Sequence, residues 1–297
     1  MARHDPAWLD RMYNNRARVA DSARHLDLWP HASLDARTVL GADLARTDLR
    51  YGSGESETLD VFPALTAQVP GAPKAPVLVF IHGGWWRSLD KSDHSFIAPA
   101  FLRSGACVVV PNYALCPGTP GEPVTLPQIV MQMVRALAWV WRNAAQFGGD
   151  PERITVAGHS AGGQLAAMLL LCCWKQVAHD LPPRLVRNAL SISGLHDLSP
   201  IQRTPFLQPS LKLTPAQVRQ ASPALLPAPK GTPLWAVAGG EESEEFLRQT
   251  QLIRNAWGEE AVPIAMALPG LNHFSMVEAL AQPGHTLHGM ALALLHD

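Results

Sequence analysis

The sequence has little net charge and no long hydrophobic run, and each absence excludes a class of protein. Its 24 lysines and arginines nearly balance its 25 aspartates and glutamates, which leaves a formal charge of -1. No net field therefore favours nucleic acid or anionic lipid as a partner. The longest strongly apolar run, 165–174, is shorter than the roughly 20 residues that a membrane-spanning helix needs. We therefore expect neither a nucleic-acid-binding protein nor a membrane protein.

Cysteine is scarce, and its spacing matches neither a metal site nor a redox motif. Of the four cysteines, Cys107 and Cys116 stand apart and Cys172 and Cys173 are adjacent, so no CxxC pair occurs. The histidines also lack HExxH or comparable ligand spacing. The first residues, MARHDPAWLDRM, lack the apolar core of a secretory signal. We therefore expect no metal and no cofactor, and we predict a cytoplasmic protein with reduced thiols.

The sequence does contain the apolar material of an α/β protein, in the expected order. Hydrophobic residues make up 47% of the 297 residues against 16% that are charged, which is enough for a buried core. From about residue 48, short β-branched runs alternate with longer helical patterns, which is typical of a mostly parallel central sheet with helices on both faces. The continuously apolar run 75–81 predicts a central strand, and an opening hairpin is expected at 46–51 and 57–62. Further strands are expected at 106–110, 154–157, 189–193, 234–237 and 263–268, and helices at 126–147, 161–176 and 244–257.

Two segments do not follow this alternation. Residues 1–45 place large apolar side chains among many charges and are predicted to form one or two amphipathic helices over the domain 46–297. Residues 198–232 contain seven prolines and are predicted to be an insertion of short helices and loops. Each segment either forms a helical lid over a site or only pads the surface.

The strongest chemical motif is Gly158-His159-Ser160-Ala161-Gly162, which lies between an expected strand, ITVA, and an expected helix. A serine on a sharp strand-to-helix turn needs small neighbours, because the tight backbone leaves no room for side chains two positions away. The strand and helix around the motif distinguish a nucleophile elbow from a chance GxSxG string. We therefore predict Ser160 as a nucleophile, with His159 beside it lining the pocket.

A second motif, His82-Gly83-Gly84-Trp85-Trp86, directly follows the expected central strand. Acyl transfer develops negative charge on the substrate oxygen, and consecutive glycines let backbone N–H groups approach that oxygen closely. The motif therefore predicts an oxyanion hole with donors from Gly83 and Gly84 and a third from the N–H of Ala161.

A serine hydroxyl is a poor nucleophile at neutral pH, so the site also needs a histidine base and an orienting carboxylate, in the chain order serine, acid, histidine. His273 lies just past the last expected strand and is the predicted base. The acid stays open among three carboxylates. Glu242, which we favour, and Glu241 follow the expected strand 234–237, whereas Asp197 follows the strand before it.

Five pieces of the chain resemble, in order and spacing, the arylformamidase (kynurenine formamidase)-like branch of the α/β-hydrolases, close to the hormone-sensitive-lipase esterases. The pieces are HGGWWRSLDKSD, PNYALCP, GDPERITVAGHSAGG, GGEESEEFLRQ and LNHFS, and the resemblance covers about 51–280. It implies an α/β-hydrolase fold and the acid at Glu242, where the family usually has an aspartate that is one methylene shorter. The other site residues that it implies are His82, Gly83, Gly84 and Trp86 for the oxyanion hole, Ser160 for the nucleophile and His273 for the base.

These motifs predict a cofactor-free serine hydrolase that cleaves a small carboxylic ester or aryl formamide through an acyl-enzyme. The alternative is a ligand-binding protein that has kept a hydrolase scaffold and lost turnover, which a broken catalytic set would indicate. Aromatic side chains beside the motifs either form a substrate pocket for flat molecules or only pack in the core. These residues are Trp85, Trp86, Tyr113 and Phe274.

Overall fold

An eight-stranded sheet forms the centre of the computed structural model, which describes residues 5–67 and 69–297. The strands are β1 (Arg46–Arg50), β2 (Thr58–Phe62), β3 (Ala75–Ile81), β4 (Cys107–Pro111), β5 (Gly149–His159), β6 (Asn188–Ile192), β7 (Leu234–Gly239) and β8 (Ile264–Leu268). Their order across the sheet is β1-β2-β4-β3-β5-β6-β7-β8. The pairs β1–β2 and β2–β4 are antiparallel, and every later pair is parallel.

Helices cover both faces of this sheet. They are α1 (Pro6–Tyr13), α2 (Asn15–Arg18), α3 (Ser22–Leu44), α4 (Ala98–Arg103), α5 (Leu126–Asn143), α6 (Ala161–Leu170), α7 (Trp174–Val177), α8 (Ser199–Gln202), α9 (Gln208–Leu211), α10 (Pro215–Ala221), α11 (Glu244–Trp257), α12 (Ser275–Ala281) and α13 (Thr286–His296). Short 3-10 helices lie at Lys91–Ile97, Ala144–Phe147 and Pro223–Leu225. In the described part of the chain, no helix has the length and apolar character to cross a membrane.

The strand β3 explains why the sheet is buried on both sides. All seven of its residues are buried. Val77, Val79 and Ile81 pack into one hydrophobic core, whereas Leu78 and Phe80 pack into the core on the opposite face. Side chains of a strand alternate between faces, so a continuously apolar strand needs helices on both. The predicted α/β-hydrolase fold, with its mostly parallel sheet, is confirmed.

Two predicted helices are shorter than their sequence patterns. The helix expected over 126–147 ends at Asn143 and continues as a 3-10 turn, which Gly148 closes in the left-handed conformation with φ 74°. The helix expected over 161–176 divides into α6 and α7. At this break the apolar run is no longer buried, and Cys173 is exposed. Because packing of a buried face provides most of a helix's stability, the helix ends there.

The N-terminal segment, 5–45 in the structure, packs over one edge of the site. It contains three helices rather than the one or two expected, because a single turn, α2, separates α1 from α3. Leu9 and Tyr13 of α1 and Trp29 of α3 are almost completely buried. The Tyr13 hydroxyl donates to Glu245 of α11 at 2.5 Å. These contacts fix the segment to the hydrolase domain.

Candidate active site

Ser160 lies on the turn between β5 and α6 and is 2% exposed. Its backbone has φ 57° and ψ -114°, a strained conformation for a residue with a side chain. The turn is possible because the residues two positions before and after Ser160 are glycines. A Cβ on Gly158 would lie 2.1 Å from the carbonyl oxygen of Gly162, and a Cβ on Gly162 would lie 2.0 Å from that of Ile81. The GxSxG spacing is thus a steric requirement of this turn.

The variant Gly162→Ala should lower the stability of the protein, because the added methyl group meets backbone atoms that cannot move aside. Overpacking of this kind costs about 1–3 kcal/mol, and we expect the melting temperature to fall by about 2–10 °C. Gly289→Ala is the matched control, since Gly289 is also helical but has no atom within 4 Å of an added Cβ. It should be neutral or stabilise by up to about 1 kcal/mol. Equal melting temperatures for the two variants in calorimetry would contradict the steric explanation.

The loop after β3 brings its glycines next to Ser160. A Cβ on Gly83 would lie 3.2 Å from the Ser160 Cβ, and one on Gly84, which has φ 96°, would lie 2.0 Å from the carbonyl oxygen of Ser88. Trp85 and Trp86 also have positive φ values, 56° and 53°. Leu89, further along the loop, has φ 71°, and a loop that keeps such backbone at three non-glycine residues must be held by its surroundings.

His82 and Tyr113 stabilise this loop through hydrogen bonds and a stacked pair of rings. The His82 Nδ1–H donates to the carbonyl oxygen of Gly83 at 2.9 Å. The Tyr113 ring stacks on the His82 ring with centroids 4.2 Å apart, and its hydroxyl donates to the carbonyl oxygens of His82 and Gly83 at 3.0 Å. Burial lowers the pKa of His82, which favours a neutral ring.

Of the two roles left open for Trp86 and Tyr113, substrate binding and core packing, this arrangement favours packing. Neither side chain lines the cavity beside Ser160. Trp86 is 0% exposed and donates its Nε1–H to Gln164 at 3.2 Å, and Tyr113 is 1% exposed under the loop. Both satisfy their polar atoms inside the protein, so they support the loop and do not face a ligand.

His273 is joined to one of the three candidate acids. Its Nδ1 lies 2.6 Å from Glu242 Oε2, and both side chains are almost completely buried. The other carboxylate oxygen, Oε1, accepts from the Ser193 hydroxyl at 2.5 Å and from the Gly239 N–H at 2.7 Å. Three donors therefore fix the carboxylate, and its orientation in turn fixes the imidazole.

The other two candidate acids lie in different surroundings. Glu241 is exposed, and Asp197 uses Oδ1 to accept the N–H of Ser199 at 2.9 Å, at the start of α8. The His273 ring has neither of them as a partner. Among the three, the structure joins only Glu242 to His273.

His159 packs against His273. Its Nε2–H donates to the His273 carbonyl oxygen at 2.8 Å, and the ring centroids are 4.5 Å apart. Burial, together with the nearby His273, lowers the pKa of His159 well below its usual value. The ring is therefore neutral and adds no second positive charge beside the imidazole of His273.

A cavity of about 460 Å³ opens over Ser160 and His273, a volume within the usual range for small-molecule sites. Trp85, His159 and Phe274, three of the predicted substrate-binding residues, line it. The sequence patterns did not indicate most of the remaining lining. It comes from the N-terminal segment (Asn14, Asn15, Arg16, Leu26 and Trp29), the loop after β3 (Gly84, Arg87, Ser88 and Leu89) and the proline-rich insertion (Phe206 and Ser210).

This fold, with a serine elbow at the carboxyl end of a central strand and a histidine–carboxylate pair beside it, defines a serine hydrolase of the α/β-hydrolase class. The carboxylesterase family matches residues 53–204, which is just over half of the chain. The chain therefore belongs to the carboxylesterase family.

Individual relatives agree with this assignment. Kynurenine formamidase of Danio rerio is 28% identical over 254 residues, covering 84% of this chain and 81% of that protein. Esterase LipQ of Mycobacterium tuberculosis is 29% identical over 205 residues, covering 65% of this chain and 45% of that protein. A solved structure of a candidate thioesterase from Silicibacter sp. tm1040 superposes with a TM-score of 0.80 at 30% identity, covering 97% of this chain and 99% of that one. The predicted resemblance to the arylformamidase-like branch is confirmed, and a non-catalytic binding protein is not favoured.

Proposed function

We propose that the protein hydrolyses a small carboxylic ester or an aryl formamide with Ser160, His273 and Glu242 as its catalytic triad. The observation that carries the proposal is the hydrogen bond of 2.6 Å between His273 Nδ1 and Glu242 Oε2, in a histidine that shares one cavity with Ser160. The activities for which two relatives are named, kynurenine formamidase and esterase, support these two bond types.

The proposed mechanism follows from these positions. Ser160 Oγ attacks the substrate carbonyl while His273 Nε2 takes its proton, and Glu242 stabilises the imidazolium that forms. The N–H groups of Gly83, Gly84 and Ala161 donate to the developing oxyanion. His273 then gives its proton to the leaving alcohol or amine, and a water molecule, activated by the same histidine, hydrolyses the acyl-enzyme.

A side-by-side kinetic measurement tests whether the protein cleaves an ester bond, a formamide bond or both. p-Nitrophenyl acetate, p-nitrophenyl butyrate and N-formylkynurenine are assayed with the same preparation, and Ser160→Ala measures the background. Turnover of one or both substrate types above that background supports the proposal and ranks ester against formamide. No turnover of either type, in a protein that binds them, would favour the ligand-binding alternative.

The cavity predicts a preference for short acyl groups. Its aromatic lining, Trp29, Trp85, Phe206 and Phe274, surrounds about 460 Å³ beside Ser160. We expect kcat/KM for p-nitrophenyl esters to fall by about tenfold or more between butyrate and palmitate, because a cavity of this volume does not hold the long acyl chain beside Ser160 without steric conflict with its walls. Initial rates below the micelle concentration of each ester measure this. A rise in kcat/KM along the series would contradict the prediction.

We also propose that the described part of the N-terminal segment, 5–45, and the insertion 198–232 act as a cover for the site; residues 1–4 lie outside the described residues. Both contribute to its lining, through Trp29 and Arg16 on one side and Phe206 on the other. Hydrogen exchange with and without a covalent phosphonate on Ser160 tests this, since a cover should gain protection over both segments when the site is filled. Unchanged exchange in both segments would indicate that they only cover the protein surface and do not respond to a ligand.

The cytoplasmic location stays a prediction from the cysteine pattern.

A further inference from the structure

The cavity over Ser160 contains two arginines that form no ion pair. Arg16 of α2 is exposed and Arg87, in the loop after β3, is half-buried, and both line the cavity. No carboxylate in 5–67 or 69–297 forms an ion pair with either guanidinium. The nearby Asp10 uses Oδ1 to accept the Phe206 N–H at 3.1 Å. Two positive charges therefore face this cavity without a described counter-ion.

Arg87 is held in place by neutral groups. Its Nη1 donates to the Phe206 carbonyl oxygen at 2.9 Å and to the Ser210 hydroxyl at 3.1 Å. Its Cζ lies 5.4 Å from the centroid of the Phe206 ring, a cation–π contact. Within the described chain, Nε and Nη2 have no acceptor, so one edge of the guanidinium keeps the paired donors that fit a carboxylate.

The two arginines are close enough to influence each other. Burial lowers the pKa of Arg87, and the positive charge of Arg16 lowers it further. Arginine nevertheless stays protonated at neutral pH. An anion between the two groups would relieve this repulsion and would compensate for the partial burial of the Arg87 charge.

A second observation at the same cavity points to a missing ligand acceptor. Asn15, next to Arg16, lines the cavity and is 5% exposed. Its side-chain Nδ2 is buried without a hydrogen-bond partner. Buried amide groups are normally satisfied, and each exception requires an explanation. An acceptor oxygen in the cavity would supply the partner once the amide rotates to bring Nδ2 to the cavity wall.

We propose that Arg16, Arg87 and Asn15 form a subsite for a carboxylate on the substrate, remote from the bond that is cleaved. This inference rests on the proposed function and narrows it, because the preferred substrates are then anionic esters or formamides. The arginines set specificity through charge and positioning, and Ser160 and His273 carry out the chemistry. The remaining aromatic walls accommodate the flat part of such a molecule.

A matched pair of substrates tests the subsite. 4-Acetoxybenzoate and its methyl ester, methyl 4-acetoxybenzoate, carry the same acetyl group and differ by one charge. We expect Arg16→Ala and Arg87→Gln each to lower the ratio of kcat/KM for the anion to kcat/KM for the methyl ester by about tenfold, mainly through KM. Added salt should lower the same ratio in the wild type.

The control is Arg18→Ala. Arg18 is exposed on the same short helix but does not line the cavity, and residues two apart on a helix face different directions. For Arg18→Ala, the ratio of kcat/KM for the anion to kcat/KM for the methyl ester should match that of the wild type. Because Arg16 is exposed, its variant tests the proposal even if Arg87→Gln folds poorly. An equal ratio in the wild type, Arg16→Ala and Arg18→Ala would overturn the subsite.

A binding measurement separates the subsite from the proposed function. Calorimetry with the Ser160→Ala variant compares benzoate with the neutral benzamide, and needs no turnover. Tighter binding of benzoate that weakens about tenfold in Ser160→Ala/Arg16→Ala supports the subsite even if no ester or formamide is cleaved. Equal binding of the two compounds, in a protein that does hydrolyse esters, would remove the subsite and leave the hydrolase intact.

Discussion

Replacement of Ser160 by alanine should lower kcat for p-nitrophenyl acetate by a factor of about 10⁴ to 10⁶, with little change in fold. The loss is large because no other group replaces the attacking oxygen. Ser160 is 2% exposed at the end of β5, in a backbone conformation that only the surrounding glycines permit. Initial rates for the wild type and the variant, normalised to folded protein by calorimetry, measure the effect.

Two controls make this result specific. Ser104→Ala removes a hydroxyl at the end of α4, where it donates to the Ala100 carbonyl oxygen, and should leave the rate close to that of the wild type. An aryl phosphonate should add to the wild type in a mass spectrum and not to Ser160→Ala. Undiminished turnover in Ser160→Ala would remove the serine mechanism.

Chelation gives an independent check on the same mechanism. In the described residues, no group of three histidine, cysteine, aspartate or glutamate side chains is placed to hold a metal ion. We therefore expect ethylenediaminetetraacetate to leave the rate unchanged. A rate that falls on chelation and returns with added zinc would assign the chemistry to a metal-bound water.

The parts of this site that could be predicted from the sequence are those set by local geometry. The strand β3 has the limits expected from its apolar run, 75–81, since prolines and glycines bound it on both sides. Ser160 and His273 each follow a strand, and parallel strands bring their carboxyl ends to one edge. Position after a strand therefore indicated which side chains lie at this edge of the sheet, but not which of the three carboxylates contacts His273.

The cavity walls could not be predicted in the same way. Arg16 lies in the turn after α1, which packs on α11 through Tyr13, a contact between residues more than 200 positions apart. Trp29 of α3 donates its Nε1–H to Glu278 of α12, which is equally distant in the sequence. An amphipathic pattern indicates that a helix has a buried face but not what that face meets. For Tyr113 the sequence left two roles open, because an aromatic residue near a motif packs beneath the loop as readily as it lines a pocket.

Ser193 is a further residue that the sequence patterns did not indicate. It follows β6 with a positive φ of 53° and directs its hydroxyl to Glu242. A serine after a strand is too common to be informative alone. Its contact with Glu242 becomes evident only when the position of Glu242, just after the neighbouring strand β7, is known.

Glu242→Gln should lower kcat by up to ~10⁴ while the protein stays folded. The reason lies in the two oxygens of the carboxylate. Oε1 accepts from Ser193 and from the Gly239 N–H, so the glutamine must keep its carbonyl oxygen at that position. Its NH₂ group then faces His273 Nδ1, which in the wild type donates to Oε2 at 2.6 Å. A donor at that place favours the imidazole tautomer with Nε2 protonated, and this tautomer cannot accept the Ser160 proton.

The alternative acids provide matched controls for the same substitution. Glu241→Gln changes an exposed side chain, and Asp197→Asn changes one that accepts the N–H of Ser199, so both should retain most of the wild-type kcat. The Ser193→Ala variant frees Oε1 from one donor and should lower kcat far less than Glu242→Gln, because Gly239 still holds the carboxylate. Proton NMR gives a readout besides activity, since a strongly downfield Nδ1–H signal should be present in the wild type and absent in Glu242→Gln. A large kinetic loss in Asp197→Asn with a near-native Glu242→Gln would move the acid to the end of β6.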